Sequence, residues 1–426
     1  MKYKKIQKKN YNLHVIETNK YKTVFLKVSF KRKLEKEDIA LRNMLINVLF
    51  ESTEKYHTKR LMEIESEELY ELQYRGSNYS SGKYNIMGVD ALFLNPKYTE
   101  ESMLEESFRF LNEIIFHPNV DKSGFKKEGF DIAYHELEDY LMSLKENPDN
   151  YARIRLLEEI EPDTVLSYRS CGYLEDLKKV TRKNLYEYYQ DVLQNDVVDI
   201  FVIGEVHTKQ IEELVERCFP FQERVMDHKS HFYHSPNIRE NVNFCTEQMD
   251  LKQSKLLMGC QIIDASDFEL RYVLNVYNYI LGGSPNSKLF QNVREKNSLC
   301  YSISSSSQPL VSVLTIRAGI NAWEYDRACA LILEQLEDVK NGKFEDEDIQ
   351  NAITAYKSSL KSFEDNPESM ISLYAGMEYL DSDTIEERIK KIEKVDRKSV
   401  QKFAEKIKLD TIFFLEGSEK YEETSS

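Results

Sequence analysis

The sequence is short of residues that interrupt regular structure, and it contains no long apolar run. Its 426 residues include only 14 glycines and 9 prolines, so long disordered linkers are not expected. No segment approaches the 18 consecutive apolar residues of a transmembrane helix, and the basic N-terminus lacks the apolar core of a signal peptide. These absences predict a soluble, cytoplasmic protein.

Paired cysteines and excess positive charge are also missing. The six cysteines are scattered and form no CxxC pair, which is typical of reduced thiols rather than of a metal or redox motif. The net charge of −15 argues against nucleic-acid binding. No phosphate loop, GxSxG elbow or dinucleotide fingerprint is present. With 41% hydrophobic and 31% charged residues, the chain suits a few globular domains.

What the chain does contain is an internal repeat. Residues 178–206 resemble residues 393–418, and the VTRK of the first copy matches the VDRK of the second at a distance of 395 − 180 = 215 residues. Thr181 and Asp396 are the predicted N-caps of a short amphipathic helix in the two copies, and a β-rich run follows each helix. Because this distance is about half the chain, the repeat predicts two homologous halves.

The two halves also share an order of predicted elements. Each begins with a strand and a helix, continues with a second group of strands, and then has long helices. This order is typical of an α+β protein in which helices cover one face of a mostly antiparallel sheet. The predicted domains are 1–219 and 243–426, and the polar segment 220–242 is the predicted linker.

Two short phrases carry a resemblance to a known family. Residues 43–56, "NMLINVLFESTEKY", resemble a segment of the insulinase-like (M16) zinc peptidases. In that family the segment has HxxEH followed by a phrase such as MLFKGTEK. "VREKNSLCYSI" (293–303) is similar to that family's second-half phrase REKRGLAYSV. With the repeat and the linker, the resemblance covers essentially the whole chain. It implies the M16/LuxS-like metallohydrolase fold.

The first phrase lacks the zinc-binding residues of that family. HxxEH supplies two histidines to one Zn²⁺ and a glutamate as general base, but the corresponding residues here are Asn43, Ile46 and Asn47. Asparagine is a poor zinc ligand, and isoleucine accepts no proton. Glu136 roughly matches the family's third ligand, yet a lone carboxylate does not hold zinc. The sequence therefore predicts a degenerate, metal-free site.

The second phrase resembles the substrate-binding part of a two-subunit enzyme. In such members of the family one subunit carries zinc, while the other contributes an Arg/Tyr pair and a glycine-rich loop. The resemblance implies that Arg294 and Tyr301 donate hydrogen bonds to a substrate carbonyl, although spacing alone favours a structural role for both. The loop residues implied to line the substrate pocket are Gly282, Gly283, Ser284 and Asn286.

Three functional hypotheses follow. The leading one is a catalytically inactive, substrate-binding subunit of a heterodimeric M16B-type metallopeptidase, whose HxxEH-bearing partner subunit would hold the zinc. Its substrates would be peptides such as leader peptides. The first alternative is a stand-alone peptide-binding pseudo-peptidase, and the second is an independent hydrolase that uses other residues. A homodimer is conceivable without the partner, and neither a nucleic acid nor a membrane is expected as a partner.

Three histidines and one cysteine could be taken for metal-binding or catalytic residues, but we expect neither role for them. The histidines of "HKSHFYH" are predicted to lie in a solvated linker rather than to bind metal: His228, His231 and His234. Cys300 is predicted to be a buried small hydrophobic residue, because no histidine lies near it in the sequence to activate its thiol.

Overall fold

The computed structural model describes residues 1–224, 230–235 and 237–418, and the chain forms two compact units. Unit 1 comprises Met1–Ser143, Arg169–His231 and Phe363–Asp381. Unit 2 comprises Leu144–Tyr168, Phe232–Ser362 and Ser382–Ser426. Each unit therefore contains one segment from the other half of the sequence. The predicted domain boundaries at 219 and 243 stay a prediction.

The strands and helices of the described residues are as follows. The strands are β1 Lys2–Gln7, β2 Asn12–Glu17, β3 Thr23–Lys33, β4 Gln73–Ser81, β5 Tyr84–Leu94, β6 Val120–Asp121, β7 Gly124–Phe125, β8 Val197–Gly204, β9 Asn243–Gln248, β10 Ser254–Ile262, β11 Cys300–Gln308, β12 Val313–Ile320 and β13 Ile407–Glu416. The α-helices are α1 Lys36–Leu49, α2 Lys59–Glu68, α3 Met103–Phe116, α4 Lys127–Met142, α5 Pro148–Ile160, α6 Leu174–Leu177, α7 Arg182–Asn195, α8 Thr208–Cys218, α9 Leu274–Leu281, α10 Tyr325–Lys340, α11 Asp346–Phe363, α12 Pro367–Leu380, α13 Ile385–Ile392 and α14 Arg397–Ala404. Residues Glu269–Val273 and Leu289–Glu295 are π-helical.

The two sheets repeat one topology. Unit 1 has the strand order β4-β5-β3-β8-β2-β1, and unit 2 has β11-β12-β10-β13-β9. In both sheets the fourth and fifth strands in this order pair in parallel, and all earlier pairs are antiparallel. The prediction of an α+β protein with two similar halves, each built on a mostly antiparallel sheet, is confirmed.

The core of unit 2 shows how strand alternation positions the helices. Leu256 and Met258 of β10 point to one face, where they pack against α9, α10 and α14. Leu257 points to the opposite face, where it packs with Leu156 of α5. Successive side chains of a strand point to opposite faces, so both faces of this buried strand are apolar. A main helical layer therefore covers one face, and one further helix covers the other.

The helices α5 and α12 are equivalent members of the repeat. Each follows the long helix α4 or α11 in its own half, yet α5 belongs to unit 2 and α12 to unit 1. Each begins with an asparagine N-cap followed by proline, Asn147-Pro148 and Asn366-Pro367, which is a favourable helix start. The sequence interpretation did not identify either helix, although this start signal was available.

The local signals of the repeat behave as predicted. The hydroxyl of Thr181 accepts a hydrogen bond from Asn184 N, and the carboxylate of Asp396 accepts one from Ser399 N. Both residues form complete capping boxes at the start of α7 and α14. The segment that leads into α9 is π-helical over Glu269–Val273. Within the described residues, no helix has both the length and the apolar character to cross a bilayer.

Candidate functional site

The degenerate zinc position lies on α1 in unit 1. Asn43 uses its side-chain amide fully: Nδ2 donates to the carbonyls of Ile39 and Ser170, each at 2.9 Å, and Oδ1 accepts from Asn78 Nδ2 at 3.1 Å. Its oxygen is therefore already engaged by a protein donor. The Asn43 side chain therefore links neighbouring segments of unit 1 and is not available as a metal ligand.

Three of the four predicted positions line one cavity of about 380 Å³. They are Ile46, Asn47 and Glu136, whereas Asn43 is not part of the wall. Ile46 is 6% exposed and packs over Gly76, where a Cβ would lie 2.5 Å from Ile46 Cγ1. An apolar side chain thus stands where the general base of a zinc peptidase is expected.

An ion pair occupies the same cavity wall and was missed by the sequence analysis. Lys59 Nζ lies 3.1 Å from Oε1 of Glu51, whose side chain is 6% exposed. Burial is the largest single effect on the pKa of Lys59 and lowers it, but the hydrogen bond to Glu51 and the negative charges nearby together outweigh burial, so the net pKa is raised. The negative charges of Glu136 and Glu63 act in the same direction. A protonated ammonium group therefore supplies positive charge here.

This residue set does not fit zinc. A catalytic zinc site needs three protein ligands, usually histidine with a carboxylate or thiolate, and an adjacent base. The cavity offers an asparagine amide, an isoleucine and carboxylates that already face the Lys59 ammonium. No hydrolytic step that passes through a metal held by this chain is supported.

Arg294 belongs to a π-helical segment of unit 2. The π-helical turn Leu289–Glu295 contains the bond from Lys296 N to Gln291 O at 3.0 Å, five residues apart. Such turns are rare and often occur at functional sites. The Arg294 guanidinium lies 4.6 Å from the centroid of the Phe290 ring and 3.6 Å from Glu295, and 41% of its side chain is exposed. The Arg294 guanidinium packs against the Phe290 ring and remains accessible to a ligand.

Tyr301 is displaced from its strand by a β-bulge. Cys300 pairs with Ile320 and Ser302 pairs with Gly319, so Tyr301 has no partner on β12. Bulges re-aim side chains and are frequent beside active sites. Tyr301 is 65% exposed, and β11 is the edge strand of its sheet. The bulge, which the sequence did not reveal, is the physical reason for this exposure.

The glycine loop before Arg294 has a clear packing function. A Cβ on Gly282 would lie 2.6 Å from Ser305 N of β11, and Ser305 N donates to Gly282 O at 3.1 Å. Glycine is therefore required for this close approach. Ser284 Oγ donates to Tyr279 O at 3.3 Å, while Gly283 and Asn286 are exposed. The role of the four loop residues toward a substrate stays a prediction.

The histidines of the linker do not form a metal site among the described residues. His228 lies outside the described residues. His231 was expected in a solvated loop but is completely buried, with Nδ1 3.0 Å from Ser81 Oγ. His234 bonds instead to Ser312. Cys300 is buried as expected, and burial raises the pKa of its thiol to about 11, so it is not a nucleophile near neutral pH.

One cluster of metal-type ligands lies elsewhere in unit 1. His14, Asp199 and Glu378 bring one ligand atom each within 4.8 Å of one another. However, His14 Nδ1 bonds to Tyr3 Oη at 2.8 Å and Nε2 faces Asp199 at 3.4 Å. Lys5 Nζ lies 2.7 and 2.8 Å from the two carboxylate oxygens of Glu378. We interpret this cluster as a buried hydrogen-bond network, because protein partners already engage its ligand groups.

Comparisons with known proteins agree with the fold and include proteins described as inactive. Residues 179–356 match the family model described as the peptidase M16 inactive domain. The chain is 27% identical over 417 residues to the "probable inactive metalloprotease YmfF" of Bacillus subtilis, across 95% of this chain and 96% of that protein. The crystal structure of a conserved protein from Enterococcus faecalis V583 is similar with a TM-score of 0.91 and 31% identity, over 99% of this chain and 100% of that one.

A more distant structure supports the fold alone. The peptidase M16 inactive domain from Pseudomonas fluorescens has a TM-score of 0.78 and 12% identity, over 99% of both chains. The closer matches and the two phrases in the sequence define the class of protein. The chain belongs to the M16 peptidase family.

Proposed function

We propose that this chain is the catalytically inactive, substrate-binding subunit of a heterodimeric M16B-type zinc metallopeptidase of the cytoplasm. A partner subunit with an intact HxxEH motif would hold the zinc and cleave peptides such as leader peptides. This chain would bind and orient the substrate. Arg294 and Tyr301 would donate hydrogen bonds to carbonyl groups of the peptide, and the loop from Gly282 to Asn286 would line the pocket.

One contrast carries this proposal. The degenerate zinc position has Ile46 in place of the general base and the Lys59–Glu51 ion pair on its wall, whereas Arg294 and Tyr301 are accessible. The fold alone does not require an exposed tyrosine at a β-bulge or an accessible arginine in a π-helical turn. Donors of this kind stabilise the charge that develops on a carbonyl oxygen during acyl transfer.

The test is a reconstitution with the closest HxxEH-bearing relative from the same genome. The two purified proteins are assayed separately and together on a quenched-fluorescent peptide library. We expect cleavage only in the mixture. Arg294→Ala and Tyr301→Phe should each lower kcat/KM at least tenfold, because loss of one such donor costs about 100- to 1000-fold in other enzymes.

Matched variants separate this effect from a general loss of structure. Arg153→Ala removes an exposed arginine of unit 2, and Tyr140→Phe removes an exposed hydroxyl of unit 1; both should leave cleavage unchanged. Equal activity of the partner alone, or wild-type activity of both Arg294 and Tyr301 variants, would refute the shared-site proposal. Peptide binding without a partner would then favour a stand-alone pseudo-peptidase.

A further inference from the structure

A second cavity, within unit 2, has a different character from the degenerate zinc position. Its volume is about 310 Å³, and its walls include the apolar side chains of Leu166, Ile238, Ile262 and Val311. Ser312 and His234 also line it. Small-molecule sites are typically concave and mostly apolar, with a few convergent polar groups. The cavity is concave but is lined about equally by polar and apolar surface, and its size suits a short acyl chain.

The two polar residues form a hydrogen-bonded pair. Ser312 Oγ lies 2.8 Å from Nδ1 of His234. A nucleophile and a base within about 2.6–3.2 Å of each other are the usual signature of an activated serine. His234 Nε2 makes no hydrogen bond to any described residue, and the ring is exposed. Water can therefore hold the proton at Nε2 and leave Nδ1 as the acceptor.

The backbone of Ser312 is strained and rigidly held. Its φ of 54° and ψ of 42° lie in the left-handed region, which costs energy for any residue other than glycine. Ser312 N donates to Pro309 O at 3.2 Å, and Ser312 O accepts from Ile262 N at 2.8 Å. The side chain is 4% exposed. These contacts fix the backbone of Ser312, which lines the cavity, and strained residues of this kind are found disproportionately at active sites.

We propose that Ser312 and His234 form a nucleophile–base pair that hydrolyses small carboxylic esters with short acyl chains. Oγ of Ser312 attacks the ester carbonyl carbon while His234 Nδ1 takes the hydroxyl proton. The tetrahedral intermediate collapses, its bond to the alkoxy oxygen breaks, and the alcohol leaves with the proton from Nδ1. Water, deprotonated by Nδ1, then attacks the acyl-serine, and a carboxylic acid is released as Oγ regains its proton. The activity needs no partner subunit and is independent of the function proposed above.

The experiment uses the purified full chain and two probes. An alkyl fluorophosphonate reports the activated serine by mass spectrometry, and p-nitrophenyl butyrate reports turnover. We expect one adduct, on Ser312, and hydrolysis that Ser312→Gly lowers at least tenfold. Glycine suits the positive φ, so this variant should fold normally, as its melting temperature will show. Ser306→Ala removes an exposed serine of β11 and should keep both signals.

His234→Asn separates a catalytic role from a structural one. Asparagine can still hydrogen-bond to Ser312 but cannot act as a base near neutral pH. We expect at least a tenfold loss of both labelling and hydrolysis in this variant. An unlabelled Ser312 in the wild-type chain, or a His234→Asn variant as reactive as the wild type, would show that the pair only anchors the chain, and the proposal would be overturned.

Discussion

At the scale of single residues, the chemistry of each site follows from which groups are buried and which are paired. Lys59 stays charged because buried Glu51 lies beside it, and Ile46 fills space where a base would stand. The loss of ligands at 43, 46 and 47 was visible in the sequence. The ion pair was not, because Glu51 follows α1 and Lys59 begins α2, and only the folded path of the connection between these helices brings the two charges together.

A buried arginine next to the degenerate motif supports unit 1. Arg42 is 1% exposed and donates to Asp196 Oδ2 and Phe30 O, each at 2.8 Å, and also to Asn85. Arg42→Leu removes these donors, and the buried Asp196 carboxylate loses one of its two arginine hydrogen-bond donors. We expect the free energy of unfolding to fall by about 3–5 kcal/mol in urea denaturation.

An exposed ion pair provides the control for this prediction. Arg109→Leu breaks the contact between Arg109 and Glu105 on the surface of α3, and should change the free energy of unfolding by less than about 1 kcal/mol. Equal effects of the two substitutions would contradict the importance that we assign to the buried cluster.

His231 should make unit 1 sensitive to mild acid. Burial, with a smaller effect from Lys31, lowers the pKa of His231 from 6.5 to about 4. The unfolded chain therefore binds more protons between these values, so stability is complete above about pH 6.5 and decreases as the pH falls toward 4. The expected loss is on the order of 2 kcal/mol. It is measured as the fall in melting temperature between pH 7 and pH 4.5.

Substitution tests whether His231 causes this dependence. His231→Phe keeps an aromatic ring between Tyr84 and Tyr379, whose centroids lie at 4.3 and 5.4 Å, but removes the titration. The acid-dependent fall should become smaller in this variant. His135→Gln alters an exposed histidine and should leave it unchanged. An identical fall in wild type and His231→Phe would disprove the assignment.

At the scale of elements, local signals predicted the start of each repeated helix. Thr181→Ala and Asp396→Ala should each lower the free energy of unfolding by about 1 kcal/mol, because each leaves a helix N-terminus without its capping acceptor. Thr181→Ser and Asp396→Asn retain an acceptor and should cost much less. Chemical denaturation of the four variants measures the difference, and a neutral Thr181→Ala would contradict the capping role.

Other element-level features were not predictable from local signals. The π-helical turns and the bulge at Tyr301 do not follow from residue preferences, because they are set by how a segment must pack against its neighbours. At Gly282 the reason is visible, since β11 approaches the loop so closely that no side chain fits. Tyr301 was selected by its resemblance to a family motif, whereas its exposure is a property of the folded sheet.

At the scale of the whole molecule, neither half of the sequence is expected to be stable alone. Unit 1 includes α12, which buries Ile371, Leu373 and Tyr379. A fragment of residues 1–219 lacks this helix, so part of its sheet would be exposed. We expect it to melt without a sharp transition, as followed by circular dichroism.

The missing helix also provides the control. A synthetic peptide of residues 363–381 should raise the melting temperature of the 1–219 fragment, and a scrambled peptide of equal composition should not. A fragment that melts cooperatively and ignores the peptide would show that the first half folds independently.

The sequence by itself determined the class of fold, the repeat and the absence of zinc ligands. These depend on hydrophobic periodicity, capping residues and the chemistry of individual side chains, all of which are local. Only the tertiary structure decided that α5 belongs to unit 2 and α12 to unit 1. It also decided the Lys59–Glu51 pair and the contact between His234 and Ser312. The contact between His234 and Ser312 joins positions 78 residues apart, whereas the Lys59–Glu51 pair spans eight residues across the connection between α1 and α2. Both contacts depend on the path that the folded chain takes, and local residue preferences do not set that path.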